Sequence, residues 1–134
     1  MPAHTILKLN TVHKTTGYSH AARAGNTLYL AGQVAQDKGG RLVGKGDIEV
    51  QAKQVYTNLR SILTEAGGSL AHIVKTTTYL THYASLEGYR KVRGTFFTEP
   101  YPPNTLVVVE SLANPDYLIE IEAIAVLEEK VEKK

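Results

Sequence analysis

The sequence predicts an α+β fold in which one mixed β-sheet carries two helices on a single face. Three observations lead to this prediction. One segment has the apolar spacing of a long amphipathic helix, another alternates like a strand, and the predicted elements run strand, strand, helix, strand, helix, strand, strand. With 134 residues, 43% of them hydrophobic and 21% charged, the chain is expected to form a single domain over residues 1–134.

The first two predicted strands flank a polar segment. Residues 6–9 are a short candidate strand, and residues 10–21 have the composition of a loop. Residues 27–34 have the length of a strand and are followed by the turn sequence Asp37-Lys38-Gly39-Gly40. Gly32 lies inside this strand, where a glycine indicates either a bulge or a place at which another group approaches the backbone closely.

Two helices are predicted from apolar spacing and end signals. From Ile48 to Ala66 the apolar residues recur every three or four positions, with Asp47 at the N-cap and Gly67 just beyond the end. Ser85 is a candidate cap for a second helix, which the following prolines must end. Its inner stripe consists of Leu86, Tyr89, Val92 and Phe96.

Three further strands follow from local composition. Residues 72–81 are rich in β-branched side chains. Residues 105–112 carry consecutive valines, which predicts a central strand covered on both faces. Residues 117–127 alternate, and Glu120 and Glu122 interrupt one otherwise apolar face of that strand. Because helices on one face leave the other bare, we expect closed self-association of the chain to cover it.

Composition excludes several classes of function. The net charge of +2 is too small to indicate a surface dedicated to binding nucleic acid. The absence of cysteine excludes thiolate metal sites and a cysteine nucleophile. The five histidines are too far apart for helical ligand spacing, so we expect no metal and no cofactor. No apolar run is long enough to span a membrane and no signal peptide is visible, so a cytoplasmic protein without membrane contact is expected.

Several short segments together carry a family resemblance. They are Gly17-Tyr18-Ser19-His20-Ala21, Leu30-Ala31-Gly32-Gln33-Val34, Ile73-Val74-Lys75-Thr76-Thr77, Phe96-Phe97, and the segment from Ile119 to Ala125, IEIEAIA. Over nearly its whole length the chain resembles the YjgF/RidA family, also called the L-PSP or reactive-intermediate deaminase family. The resemblance implies a chorismate-mutase-like fold, assembled as a homotrimer with clefts between neighbouring subunits.

The resemblance also implies an activity and site residues. In the best-studied branch of the family the cleft hydrolyses 2-imino acids and their enamine tautomers to 2-keto acids and ammonia. Carried over, Tyr18 would line the cleft, the backbone N–H of Gly32 would bind the substrate carboxylate, and Glu120 would orient the water. The residues alone leave other interpretations open: Tyr18 as a surface aromatic, Gly32 as a bulge glycine, and Glu122 as a structural residue paired across a subunit contact.

One segment departs from the deaminase branch. Where that branch has arginine in Pro-x-Arg-Ser or Pro-x-Arg-Thr, this chain reads Pro102-Pro103-Asn104-Thr105. Asn104 and Thr105 are candidate substrate-binding residues, but an amide offers no charge to a carboxylate. Arg90 stands where the branch commonly has asparagine, and we hypothesise that it enters the cleft and supplies the cation. A solvent-facing helix arginine is the alternative.

The sequence therefore leaves three candidate functions. The first is hydrolytic deamination of an imine or enamine carboxylate, with an altered substrate because Asn104 replaces the arginine. The second is non-catalytic binding or sensing of a small carboxylate. The third, an endoribonuclease or translation inhibitor, is disfavoured because the sequence has neither a dense basic stripe nor a recognisable set of stacking aromatics. Expected partners are further copies of the chain and a small carboxylate or imine.

Overall fold

The computed structural model describes residues 2–128, in which strands and helices alternate nearly as predicted. Single turns of 3₁₀ helix, Leu70–His72 and Tyr83–Ser85, precede the fourth strand and the second helix. The strands are β1 (Thr5–Ile6), β2 (Ala21–Ala24), β3 (Thr27–Gln33), β4 (Ile73–Leu80), β5 (Asn104–Val108) and β6 (Ile119–Val126), and the helices are α1 (Ile48–Glu65) and α2 (Leu86–Phe96).

Within residues 2–128 the strands form one mixed sheet in the order β1-β2-β3-β6-β4-β5. The β4–β5 pair is parallel and the other pairs are antiparallel. Both helices pack on the same face, because α1 contacts α2, β3 and β6, and Tyr89 of α2 reaches Thr78 of β4. The predicted α+β architecture is confirmed.

The capping residues predicted at both ends of α1 are confirmed, whereas the side-chain cap predicted at the start of α2 is not formed. Asp47 Oδ1 accepts a hydrogen bond from the Val50 backbone N–H at 3.1 Å, and Gly67 has φ +90° beyond the end of α1. Ser85 does precede α2, but its side chain makes no capping hydrogen bond. The preceding 3₁₀ turn already gives Ser85 helical backbone angles, so its hydroxyl is not aimed at the N–H groups of the first turn.

The alternation of β6 is confirmed by burial. Ile119, Ile121, Ala123 and Ala125 are buried beneath the helices. Glu120, Glu122, Ile124 and Val126 lie on the other side, here called the open face. Tyr29 and Val107 also lie there, and they are 51% and 39% exposed.

The predicted central strand over residues 105–112 is wrong. β5 ends at Val108, pairs only with β4 among the described residues, and forms the edge of the sheet, with Val108 48% exposed. A run of valines indicates only that the strand has apolar surroundings, and it does not distinguish a covered central strand from an edge strand. The sequence also missed β2, whose Ala-Ala-Arg-Ala has little β propensity, and placed the first strand at residues 6–9 rather than Thr5–Ile6.

Candidate functional site

The carboxyl of Glu120 lies directly against the backbone of Gly32. The pairing of β3 with β6 shifts register between Leu30 and Gln33, which brings the backbone at Gly32 under the Glu120 side chain. A Cβ at position 32 would lie 2.7 Å from Glu120 Cδ, closer than real Cβ contacts come. The strand is irregular at Gly32 and a carboxyl group also approaches its backbone closely, so both predicted interpretations apply, and a larger residue would displace the Glu120 side chain.

The pKa of Glu120 is raised above its ordinary value. Burial is the larger cause, and the negative charge of Glu122 adds to it. Glu122 itself accepts a hydrogen bond from Tyr79 Oη at 2.7 Å, a partner within its own chain. The two carboxylates thus occupy different environments, and burial beside a second carboxylate makes Glu120 the better proton acceptor when it is ionised.

Tyr18 lies near this carboxyl, at the end of the loop between β1 and β2. Burial raises the pKa of Tyr18, and the charges of Glu120 and Tyr117 raise it further, in that order. The Tyr18 side chain nevertheless remains accessible, with 53% of the residue exposed. Tyr18, Gly32 and Glu120 are therefore brought together as the sequence predicts, with one face open to a ligand.

The loop that carries Tyr18 is held at both ends. At its start the backbone N–H groups of Asn10 and Thr11 donate to the Glu65 carboxylate, at 2.8 Å and 3.0 Å. At its end His20 is buried, and its backbone carbonyl accepts from the Ala31 N–H at 2.8 Å. These contacts fix the loop to α1 and to β3.

The His20 ring adds a clamp that sequence reasoning missed. Its Nε2 lies 2.7 Å from the His13 carbonyl oxygen, which can only accept, so Nε2 donates. Its Nδ1 then accepts from Gln33 Nε2 at 3.0 Å. A neutral imidazole in one tautomer satisfies both bonds and joins the Tyr18 loop to the residue after Gly32. The only sequence signal was the position of His20 beside Tyr18 in the resembling segment.

The other predicted site residues lie elsewhere in the chain. Asn104 and Thr105 begin β5, which β4 separates from β6 by two strand spacings, about 10 Å across the sheet. They also lie two to three residues along the strands from the level of Glu120. Thr105 faces the open side, where its Oγ1 accepts from Lys75 Nζ at 2.6 Å, whereas Asn104 Oδ1 is held on the helix side by hydroxyl groups of β4. One chain does not bring these residues to Glu120.

Arg90 is exposed on α2, whose helix packs on the sheet face opposite Glu120. It lines a shallow concavity of about 400 Å³ with Tyr83, Ala84, Leu86 and Glu87. Another concavity, of about 260 Å³, lies on the open face itself. Its lining includes Tyr29, Lys75, Thr77, Glu122 and Ile124.

Residues 2–128 contain no cluster of three or more His, Cys, Asp or Glu side chains that could hold a metal ion. In the same part of the chain, neither helix has both the length and the apolar character needed to cross a membrane.

Comparison with known proteins agrees with this fold. The sequence pattern of the family described as Endoribonuclease L-PSP matches residues 9–127. The chain belongs to the L-PSP, or YjgF/RidA, family. A RutC family protein of Pyrococcus horikoshii is 44% identical over 109 residues, which are 81% of this chain and 85% of the relative.

Two further members of the L-PSP family extend the comparison. A 2-iminobutanoate/2-iminopropanoate deaminase of Dermatophagoides farinae is 30% identical over 111 residues, 83% of this chain and 86% of that protein. The crystal structure of RidA from Psychrobacter superposes with a TM-score of 0.85 at 30% identity, covering 92% of this chain and 99% of that one. The chain is therefore similar to RidA proteins in both sequence and fold.

Proposed function

We propose that this protein hydrolyses an imine or enamine carboxylate to the corresponding carbonyl compound and ammonia. The observation that carries the proposal is the Glu120 carboxyl, with its raised pKa, set against Gly32 beside Tyr18. The family includes a relative named as a 2-iminobutanoate/2-iminopropanoate deaminase, which supports the reaction class.

Glu120 carries the proton transfers in this proposal. The ionised carboxyl accepts a proton from a water molecule as the water oxygen bonds to the carbon of the protonated imine, which gives a neutral tetrahedral adduct bearing hydroxyl and amino groups. The carboxyl returns this proton to the amino nitrogen, the carbon–nitrogen bond breaks, and ammonia leaves while the carboxylate takes the hydroxyl proton as the carbonyl forms. An enamine enters the same sequence after its carbon is protonated to the imine.

Tyr18 and Gly32 position the substrate in this mechanism. The Tyr18 ring forms one wall above Glu120, and the backbone N–H of Gly32 donates to the substrate. Both groups lie on segments that His20 ties together, so the wall and the donor keep a fixed spacing. A fixed geometry of this kind lowers the entropic part of the barrier.

A second copy of the chain completes the site in our proposal. The open face exposes apolar side chains that association would cover, and a homotrimer would bring the β5 edge of one copy to Glu120 of the next. Asn104, Thr105 and Arg90 would then face the ligand. Arg90 would supply the cation that Asn104 lacks and hold the carboxylate in a shifted position.

Asn104 also favours a second candidate function, binding of a small carboxylate without turnover. The two functions separate in an assay in which an amino-acid oxidase generates the imine and semicarbazide traps whatever remains. The deaminase proposal expects wild type to lower the trapped imine and Glu120→Ala not to. Activity that is absent from wild type but present in Asn104→Arg would instead support the binding function.

A further inference from the structure

A small concavity lies where the chain passes from β1 into the Tyr18 loop. Leu7 and Leu9, both half-buried, form its apolar side, and residues of the loop form its polar side. Its volume is about 240 Å³, below the range of roughly 300–1,000 Å³ that holds drug-sized ligands. The concavity is therefore suited to a molecule smaller than these.

The sheet separates this concavity from the Glu120 carboxyl. His20 lines the concavity, and its ring accepts a hydrogen bond from the Gln33 amide. Gln33 pairs with Ile121, whose side chain is buried beneath the helices, and residues directly opposite each other in two strands share a face. Glu120 projects from the open face instead. The concavity is therefore not part of the proposed reaction site.

His13 contributes a buried polar ring to the concavity, with only 6% of the residue exposed. Within residues 2–128 its Nδ1 is buried without a hydrogen-bonding partner. Its Nε2 also makes no hydrogen bond in that range but is not buried in this way, so Nε2 is the ring nitrogen that reaches the concavity. Buried N–H groups are left unpaired more rarely than buried acceptors, so the proton of the neutral ring belongs on Nε2. His13 therefore presents an N–H donor to the concavity.

The groups around His13 keep its ring neutral near pH 7. Burial lowers the pKa of His13 from the usual 6.5, the charge of His20 lowers it further, and the charge of Asp37 partly offsets these effects. Asp37 does not line the concavity, and its Oδ1 accepts a hydrogen bond from the Arg41 backbone N–H at 3.0 Å. His13 thus supplies a donor but no charge.

Lys14 supplies a positive charge beside this donor. It lines the concavity, is exposed, and forms none of the ion pairs found in the described part of the chain. Ser19 adds a hydroxyl group, whereas the Thr15 hydroxyl already donates to the Tyr18 carbonyl. One N–H group, one ammonium group and one hydroxyl group match the two oxygens of a carboxylate, which only accept hydrogen bonds when ionised.

We propose that the concavity binds a small monocarboxylate with a short apolar chain. The carboxylate accepts hydrogen bonds from His13 Nε2 and from the Lys14 ammonium group, and the apolar chain lies against Leu7 and Leu9. An inorganic anion such as phosphate would leave these leucines uncovered and gain nothing from them. Because this site lies outside the proposed reaction site, the proposal does not depend on the deaminase function.

The His13 ring reports binding at this site directly. Sodium butanoate is titrated into wild type at constant pH and ionic strength, and the Hε1 resonance of His13, assigned by its absence from His13→Gln, is followed by NMR. We expect a saturable shift of this resonance. Butanamide has the same shape without the charge, so it should bind about tenfold more weakly, because a charge-assisted hydrogen bond becomes a neutral one. Phosphate should also bind more weakly than butanoate.

Lys14→Gln tests the cation and should weaken butanoate binding about tenfold. The matched control is Lys8→Gln, which removes an exposed cation that lies between Leu7 and Leu9 in sequence but does not line the concavity. This control should leave the dissociation constant of butanoate unchanged. Arg90→Ala should also leave it unchanged, because Arg90 is assigned to the proposed reaction site.

Four results would overturn the proposal. They are a His13 resonance that does not shift saturably with butanoate, equal dissociation constants for butanoate and butanamide, unchanged binding in Lys14→Gln, and weakened binding in Arg90→Ala. The last result would mean that butanoate acts on His13 from the reaction site. Ammonia release from imines is measured separately, and its absence would contradict the proposed deaminase and leave this carboxylate site standing.

Discussion

The Glu120 carboxyl occupies the space in which any residue other than glycine at position 32 would carry its Cβ. The two residues lie on neighbouring antiparallel strands, and the shift of register in β3 brings them together. The position of the carboxyl therefore depends directly on the backbone of β3.

Gly32→Ala should remove activity without unfolding the protein. The backbone at this position does not have the positive φ that favours glycine, so the added methyl group acts mainly by displacing the Glu120 carboxyl. We expect kcat/KM to fall by about two orders of magnitude, as when a catalytic group is misplaced. Steady-state kinetics and a thermal melt measure the two effects.

Gly94→Ala is the matched control for this substitution. Gly94 lies in α2, and a Cβ there meets nothing within 4 Å. Because alanine is the better helix former, stability should rise by about 0.5–1 kcal/mol with kcat/KM unchanged. If both variants had the same activity, the contact between Gly32 and Glu120 would not matter for function.

Glu122→Gln should move the acidic limb of the pH–rate profile to lower pH. Glu120 must be ionised to accept a proton, so activity rises as the pH passes upward through its pKa. Burial and the charge of Glu122 place that pKa above the ordinary value of 4.5. Removing the Glu122 charge lowers it, and the variant should keep activity at mildly acidic pH where wild type has lost it.

The control for this profile is Glu128→Gln, which removes a carboxylate whose side chain is 90% exposed. This substitution should leave the acidic limb of the pH–rate profile at the same pH as in wild type. A limb that stays fixed in Glu122→Gln would mean that the titrating group is not Glu120.

His20→Phe should destabilise the fold and weaken substrate binding together. The substitution leaves the buried His13 carbonyl and the Gln33 amide without their partner, at a cost of about 1–3 kcal/mol each. The Tyr18 loop also loses the side-chain half of its attachment to β3, because only the backbone bond from Ala31 to His20 remains, so KM should rise more than kcat falls. Urea unfolding and kinetics at a temperature where the variant is folded measure these changes.

The exposed His82 supplies the control for His20, and His82→Phe should change stability by no more than about 0.5 kcal/mol. Equal free energies of unfolding for the two variants would show that the hydrogen bonds of the His20 ring do not stabilise the fold.

Arg90→Ala should weaken the binding of a larger carboxylate such as benzoate by about tenfold, because a charge-assisted hydrogen bond is lost. Lys91→Ala removes the adjacent cation of the same helix, which pairs with Glu49 at 3.2 Å, and should leave binding unchanged. Calorimetric titration of benzoate into wild type and both variants measures the dissociation constants. Equal dissociation constants for wild type and Arg90→Ala would make Arg90 a surface residue.

The elements that the sequence predicted correctly are those whose burial follows a simple period. Helix α1 repeats its apolar residues with the helical spacing, and β6 alternates, so each reveals its buried face. Strand β5 was placed wrongly because its valines do not reveal whether a second strand lies beside them. Strand β2 was missed because pairing with β3, and not its own composition, makes it a strand.

The site was predictable only as a set of residue types. Tyr18, Gly32 and Glu120 were chosen by resemblance, and their contacts depend on a register shift that no periodicity records. The hydrogen bonds of the His20 ring and those of the threonine hydroxyls to Asn104 join residues that are distant in sequence, and polar groups at those positions have many possible partners. Their geometry required the folded structure.

The most direct test is the rate of ammonia release from freshly generated 2-iminobutanoate, compared between wild type and Glu120→Gln. The glutamine keeps the shape of the side chain but cannot accept a proton, so the rate should fall by about two to four orders of magnitude. Ammonia release by Glu120→Gln at the wild-type rate would contradict the central role assigned to this carboxyl.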